Sequence, residues 1–158
     1  MSAVRVEFIN PFVTAVGKTF ETMVNLKVTR SAPTLKESGK TLYPISGIIG
    51  LSGHLVGTAI LTMSEQLALK AASVMLMDEQ KVINADVLDA IGELTNMVAG
   101  NAKAQLEEYK FSLSLPNVIC GAGTEVHFPE HSQPISIPFD SEFGPFAIEV
   151  GFGDSKEQ

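Results

Sequence analysis

The most informative segment of this chain spans residues 89–101 and reads DAIGELTNMVAGN. Its apolar residues recur with the period of a helix, which predicts an amphipathic α-helix. At roughly 100° per residue, four residues of its polar side fall within about 60° of one another, and these are Asp89, Glu93, Asn96 and Gly100. A glycine has no side chain that would block an approaching molecule. This stripe of two carboxylates, one amide and one glycine therefore indicates a surface that contacts a partner.

The last two residues of the segment, Gly100 and Asn101, need separate interpretation. Asn101 is turned toward the apolar side of the predicted helix, near Leu94 and Val98. Because buried amides need hydrogen-bond partners, we expect Asn101 to have a structural role. Gly100 is compatible with close approach either of a partner molecule or of a neighbouring strand, and the sequence does not decide between them.

The composition indicates a soluble, acidic, single-domain protein. A length of 158 residues predicts one domain over residues 1–158. The net charge of −7 disfavours both nucleic acid and an anionic membrane as partners. Cys120 is the only cysteine, which excludes an intrachain disulfide and fits the cytoplasm. We expect it to be a buried structural thiol. The absence of a signal-peptide pattern also predicts a cytoplasmic location.

The predicted elements occur in runs: a helix, strands, two helices and more strands. This order favours an α+β fold with a mainly antiparallel sheet over a doubly wound parallel sheet. Helices are predicted from the N-cap Asn10 to about 24, from about 65 to 77 after the N-cap Ser64, and from Asn84 or Asp86 to about 109. Strands are predicted at 26–35, 43–51, 54–63, 111–120, 124–128, 135–139 and 146–152. A weak internal repeat relates residues 15–19, AVGKT, to residues 90–94, AIGEL.

A metal site is a weaker alternative elsewhere in the chain. His127 and His131 are four residues apart, which suits a metal only on a helix, and Pro129 between them disfavours a helix. Glu125 and Glu130 are the nearby carboxylates. His54 is predicted to be a core or edge histidine.

The segment Glu93-x-x-Asn96, followed by MVAGNAK at residues 97–103, resembles the motif of the CheC/CheX/FliY family of chemotaxis phosphatases. The family pattern is an acidic residue or serine, three residues, Glu, two residues and Asn, with a proline some twenty-odd residues later. Asp89, Glu93 and Asn96 match the first part, whereas Pro116 lies slightly closer than the usual spacing. A single motif-bearing helix resembles the CheX branch more than the CheC branch.

The order of elements resembles the family over about residues 5–152, the expected core of the domain. The resemblance implies a CheC-like two-layer sandwich, a homodimer, and hydrolysis of the aspartyl phosphate of a CheY-like response regulator. By this resemblance Asn96 orients the attacking water and Glu93 pairs with a lysine of the regulator. Asp89 and Gly100 are the further residues expected to contact the partner, although Asp89 is equally compatible with only capping or solvating the helix. The protein would need no cofactor of its own, because the Mg²⁺ would belong to the regulator.

Two alternatives remain open. The first is a non-catalytic module that binds the same regulator through this helix. The second is a structural part of a flagellar assembly, as in the FliY branch. The second is disfavoured because the chain lacks the extra domain that such a role normally brings.

Overall fold

The computed structural model describes residues 6–36, 38–130 and 132–154. The helices are α1 (Val6–Thr19), which continues as a π-helical turn (Phe20–Val24), α2 (Glu65–Leu76) and α3 (Ala85–Ala104), and a short 3₁₀ turn follows at Glu107–Tyr109. The strands are β1 (Thr29–Arg30), β2 (Thr34–Leu35), β3 (Ile45–Gly53), β4 (Leu55–Met63), β5 (Phe111–Leu113), β6 (Asn117–Cys120), β7 (Ile135–Asp140) and β8 (Phe146–Asp154).

The eight strands form one antiparallel sheet in the order β1-β7-β8-β4-β3-β5, with β2 also paired to β7 and β6 also paired to β3. The helices pack against one face of this sheet: α1 contacts β8, and α3 contacts β3 and β4. This arrangement confirms the predicted α+β fold with an antiparallel sheet. Among the described residues, no helix is both long and apolar enough to cross a membrane.

The strand order is symmetric about the central β4–β8 pair, because the two halves of the chain place equivalent strands at equivalent positions. The chain passes twice through a helix, two short strands and a hairpin, first as α1 to β4 and then as α3 to β8. The short strands of each half pair with the hairpin of the other half, and β4 pairs with β8 at the centre. This topology supports the internal repeat that the likeness of residues 15–19 and 90–94 suggested.

The second face of the sheet is partly covered by irregular chain. Residues 39–41 and 121–126 exchange backbone hydrogen bonds, including Thr41 N to Thr124 O at 2.8 Å and Val126 N to Gly39 O at 2.8 Å. On this face Glu149 of β8 is fully buried, and its carboxylate lies 2.9 Å from the Lys36 ammonium. A charged pair therefore lies within the covered part of the sheet.

Most predicted elements are present, but several predicted bounds are wrong. α1 begins at Val6, so Asn10 is not its N-cap and Pro11 lies inside the helix. α3 ends at Ala104 rather than near 109, because the chain turns into the 3₁₀ segment and Lys110 takes a left-handed conformation with φ 45°. The predicted N-cap Ser64 is confirmed, since its hydroxyl accepts a hydrogen bond from Leu67 N at 3.2 Å.

Three predicted strands differ in the structure. The segment 26–35 contains only the short strands β1 and β2, separated by residues that include Pro33. The segment 111–120 is likewise divided into β5 and β6 by residues 114–116. Residues 124–128 form no strand and contribute only the isolated bridge between Lys40 and Glu125. Proline cannot donate to a ladder of hydrogen bonds, which explains why both edges break near prolines.

Candidate active site

The polar stripe lies on α3, whose start is defined by a side-chain cap. The Asn84 Oδ1 atom accepts a hydrogen bond from Val87 N at 2.9 Å, and Asp86 lies in the first turn. An acceptor cap and an acidic first turn both stabilise a helix N-terminus. The apolar side of α3 is buried, with its largest contributions from Val87, Ile91, Leu94 and Val98. The cap and this buried side together determine which residues face solvent.

A close contact sets how near α3 lies to the sheet. Thr95 is only 2% exposed, and its hydroxyl donates to Ile91 O at 2.8 Å. It packs on Gly47 of β3, where a Cβ would lie 2.8 Å from the Thr95 Cβ and closer still to the hydroxyl. Real carbon atoms do not approach so closely without bonding. Glycine at position 47 is therefore what allows α3 to lie at this depth.

The stripe predicted from the sequence is present on the outer side of α3. Asp89 and Glu93 are exposed, and Asn96 is half-buried. The side chains of Glu93 and Asn96 make no hydrogen bond or ion pair with any residue that the structure describes. Polar groups on a rigid helix without internal partners are available to an external one. The arrangement offers a carboxylate for a cation and an amide for water or for an oxyanion.

An open groove of about 340 Å³ runs beside Glu93. It lies between α3 and the start of β6, and its lining includes Asp89, Glu93, Pro116 and Asn117. Gly92 is buried in this region, where a Cβ would lie 3.3 Å from Val118 Cγ2 and 3.7 Å from Pro116 Cγ. Pro116 thus reaches the same turn of α3 as Glu93, although its spacing in the sequence is shorter than the usual pattern.

Gly100 and Asn101 lie in different surroundings. A Cβ at Gly100 would meet no described atom within 4 Å, so no described strand approaches there. The strand interpretation of Gly100 is therefore wrong, and contact with a partner stays a prediction. Asn101 Nδ2 donates to the hydroxyl of Thr19 at 2.9 Å, and Thr19 is fully buried on α1. The structural role predicted for Asn101 is confirmed.

The remaining candidate residues are not brought together. His127 is exposed in irregular chain, and His131 lies outside the described residues. Across residues 6–36, 38–130 and 132–154, no three His, Cys, Asp or Glu side chains are grouped as a metal site requires. Cys120 is exposed on the edge strand β6, so the prediction of a buried thiol is wrong. His54 is exposed where β3 turns into β4, which excludes the core position.

Sequence reasoning missed Leu115. This residue precedes Pro116 in the loop between β5 and β6, and its side chain is 87% exposed. The available signal was an apolar residue next to a proline, at a point where a strand was predicted to continue. Without the break between β5 and β6, nothing distinguished it from an ordinary strand residue.

The sequence model of the family described as "Chemotaxis phosphatase CheX" matches residues 45–140, which is more than half of the chain and includes all of α3. The chain belongs to the CheX family. The members of this family are chemotaxis phosphatases, so membership identifies the class of enzyme, and the resemblance inferred from the motif is confirmed. The match contains each residue of the polar stripe and Pro116.

Individual relatives agree with this membership. The chain is 26% identical over 121 residues to the CheY-P phosphatase CheX of Thermotoga maritima, covering 75% of this chain and 78% of that protein. It is similar in structure to the chemotaxis protein CheX of Desulfovibrio desulfuricans, with a TM-score of 0.85 and 33% identity over 93% of this chain and 99% of that one. The CheX of a CheX–CheY–BeF₃–Mg²⁺ complex from Borrelia burgdorferi has the same fold, with a TM-score of 0.79 and 23% identity over 95% of this chain and 100% of that one.

Proposed function

We propose that this protein hydrolyses the aspartyl phosphate of a CheY-like response regulator and so ends its signal. The observation that carries the proposal is the pairing of Glu93 and Asn96 on the outer side of a firmly packed helix, with no internal partner for either among the described residues. Family membership supports it, as does the name of the Thermotoga relative, a CheY-P phosphatase. The Borrelia relative was solved together with CheY.

Asn96 has the role of placing the attacking water. Phosphoryl transfer depends mainly on positioning and on stabilising charge, so a catalyst need not form a covalent bond. The Asn96 amide can accept a hydrogen bond from a water while donating one elsewhere, which orients the lone pair of the water toward the phosphorus. Positioning of this kind contributes several kcal/mol to lowering a barrier. The half-buried position of Asn96 restricts its side chain, which favours such a role.

Glu93 has the role of anchoring the partner. It is exposed, it lines the groove, and no described basic side chain neutralises it. An ion pair with a lysine of the regulator would fix the register of the two proteins and bring Asn96 to the phosphate. Asp89 lies one helical turn away in the same groove and adds negative charge to this surface. Gly100 leaves space on the same side of α3 for the partner to approach.

Further properties are proposed for this enzyme. The Mg²⁺ that stabilises the phosphoryl group would be held by the regulator, and this chain would supply no cofactor. We further propose that the chain is a single CheX-like domain over residues 1–158 that works as a homodimer in the cytoplasm. With a net charge of −7, neither nucleic acid nor an anionic membrane is proposed as a partner.

The test is release of phosphate from receiver proteins of the same organism, phosphorylated with a small phosphodonor in the presence of Mg²⁺. Catalytic amounts of this protein should accelerate phosphate loss from one of them beyond its own autohydrolysis. If no receiver loses phosphate faster, the proposed activity is wrong.

Variants separate the catalytic role from simple docking. Asn96→Ala should abolish turnover and retain binding of the receiver. Asn96→Gln should reduce turnover, because its side chain is one methylene longer and would misplace the water. Glu93→Ala should mainly weaken binding. Equal loss of turnover and binding in Asn96→Ala would favour the alternative, a non-catalytic module that binds the regulator. Full turnover in both alanine variants would refute the assignment of the two residues.

A further inference from the structure

An exposed leucine stands next to the groove that contains Glu93. Leu115 is 87% exposed, and among the described large apolar residues only Met77 is more exposed. Its neighbour Pro116 lines the groove. Single exposed apolar residues are common on protein surfaces, so exposure alone does not indicate a role. The way in which the backbone of Leu115 is held supplies the further argument.

The loop that carries Leu115 is fixed on both sides. Ser114 N donates to Gly50 O at 2.8 Å, Gly50 N donates to the Ser114 hydroxyl at 2.8 Å, and that hydroxyl donates to Leu115 O at 3.0 Å. On the other side Pro116 has a restricted φ and packs near Gly92 of α3. Leu115 is thus presented from an ordered backbone. Ordering before binding reduces the entropy lost when a partner docks.

The charge next to Leu115 indicates what kind of partner would fit. From Pro116 the groove extends to Asp89 and Glu93, two carboxylates that form no ion pair with any described residue. An apolar projection beside an anionic groove is complementary to a surface that carries a basic group beside an apolar depression. The regulator lysine proposed above as the partner of Glu93 would supply the basic group, so one partner can meet both features.

We propose that Leu115 is an apolar anchor for the phosphorylated receiver domain, continuous with the surface of Glu93 and Asn96. This inference rests on the proposed function and names a docking residue for it. Leu115 acts on affinity: it inserts into the partner beside the lysine that pairs with Glu93. It touches no reacting atom, so it governs KM, whereas Asn96 governs kcat.

A second copy of this chain is the competing occupant. Leu115 lies at the β5–β6 edge of the sheet, and edges can pair with other chains. Self-association through this edge would bury Leu115 without any receiver. The molar mass of the full chain, measured by light scattering, distinguishes this case from docking of a receiver.

The experiment compares three variants of the full chain in the phosphate-release assay. Leu115→Ser should raise KM for the phosphorylated receiver about tenfold, as expected for loss of one buried leucine, with kcat changed less than about twofold. Leu115→Met should restore a KM near that of the wild type, because it retains the apolar volume. Leu35→Ser is the matched control, since Leu35 is 56% exposed on β2 at the opposite edge of the sheet. It should leave both constants unchanged.

Several outcomes would overturn the proposal. An unchanged KM in Leu115→Ser would exclude docking through this residue. An equal fall in kcat in Leu115→Ser and Leu115→Met would indicate that the substitutions distort the catalytic site. A change of molar mass with unchanged KM would assign Leu115 to self-association. If the wild type releases no phosphate from any receiver, the proposed function fails. Calorimetry with the same receivers then tests docking separately. Binding that is weakened in Leu115→Ser supports docking through Leu115, and no binding, or binding that the variant leaves unchanged, refutes it.

Discussion

Thr95 of α3 packs directly on Gly47 of β3, with no room for a side chain between them. This contact determines the distance between the helix and the sheet. Because Thr95 faces inward, Glu93, two residues earlier, faces the opposite way, and Asn96, the next residue, lies about 100° around the helix on its half-buried flank. The position of the proposed catalytic pair relative to the groove therefore depends on a glycine in a strand more than forty residues away.

Replacement of Gly47 by alanine should destabilise the protein. The added methyl would collide with the Thr95 side chain, and overpacking of this kind costs about 1–3 kcal/mol. For a chain of this size we expect Tm to fall by roughly 2–12 °C, measured by calorimetry. Turnover should fall as well, because α3 must move outward.

Gly50→Ala is the matched control on the same strand. A Cβ at Gly50 would lie 3.5 Å from the Ser114 hydroxyl, an ordinary contact distance, so Tm should change little. The double variant Gly47→Ala, Thr95→Ala should recover only part of the lost stability, because it removes the clashes with the Thr95 hydroxyl and methyl groups but keeps the Cβ–Cβ contact of 2.8 Å. If Gly47→Ala is as stable as the wild type, the close contact does not set the depth of α3.

The hydrogen bond from Asn101 to Thr19 should contribute to stability and not to catalysis. Asn101→Ala removes the donor and leaves a fully buried hydroxyl on α1, which should cost about 1–2 kcal/mol in urea unfolding. The cost should shrink in a Thr19→Val background, because the two side chains act as a pair. Asn96→Ala should show the reverse pattern, with stability within about 0.5 kcal/mol of the wild type and turnover lost. A catalytic defect in Asn101→Ala at full stability would contradict this separation.

Removal of one partner of the Lys36–Glu149 ion pair should destabilise the protein more than removal of both partners. Both side chains are nearly buried, at 5% and 1% exposed, and neither carboxylate oxygen accepts a well-formed hydrogen bond from the described groups. Lys36→Met leaves an uncompensated buried charge, which should cost about 3–5 kcal/mol in urea unfolding. Adding Glu149→Leu should restore most of that loss. A mild effect of Lys36→Met alone would mean that water reaches the carboxylate.

Two helical glycines provide a test of the surface around Asn96. A Cβ would meet no described atom within 4 Å at either Gly17 of α1 or Gly100 of α3. Alanine at each position should therefore stabilise the fold by about 0.5–1 kcal/mol through helix propensity. Only Gly100→Ala should raise KM for the phosphorylated receiver, by several-fold, because it narrows the approach to α3. Equal KM values in the two variants would remove Gly100 from the contact surface.

Much of the fold was predictable because local signals were strong. The caps at Ser64 and Asn84 and the hairpin of β3 and β4 all follow from short-range patterns, and each is present. The bounds that were wrong belong to segments whose ends depend on tertiary contacts. β6, for example, begins just after Pro116, a local signal that the strand breaks there, but its pairing with β3 depends on contacts far along the chain.

The candidate site also contains features that the sequence predicted and features that it did not. The helical period placed Asp89, Glu93, Asn96 and Gly100 on one side of a helix, and the structure bears out that placement for all four. Leu115 was not predicted, since its exposure arises from the break between β5 and β6. Cys120 was expected to be buried, yet it lies on an edge strand whose outer side faces solvent.

The sequence by itself determined the fold class, the amphipathic character of α3 and the residues on its polar side, because periodicity and capping act over a few residues. Only the tertiary structure decided that Pro116 lies against Gly92, that Asn101 binds Thr19, and that Gly47 admits Thr95. These contacts join residues more than twenty positions apart in the chain. Their geometry depends on how β3, β6 and α1 pack around α3, which no local pattern encodes.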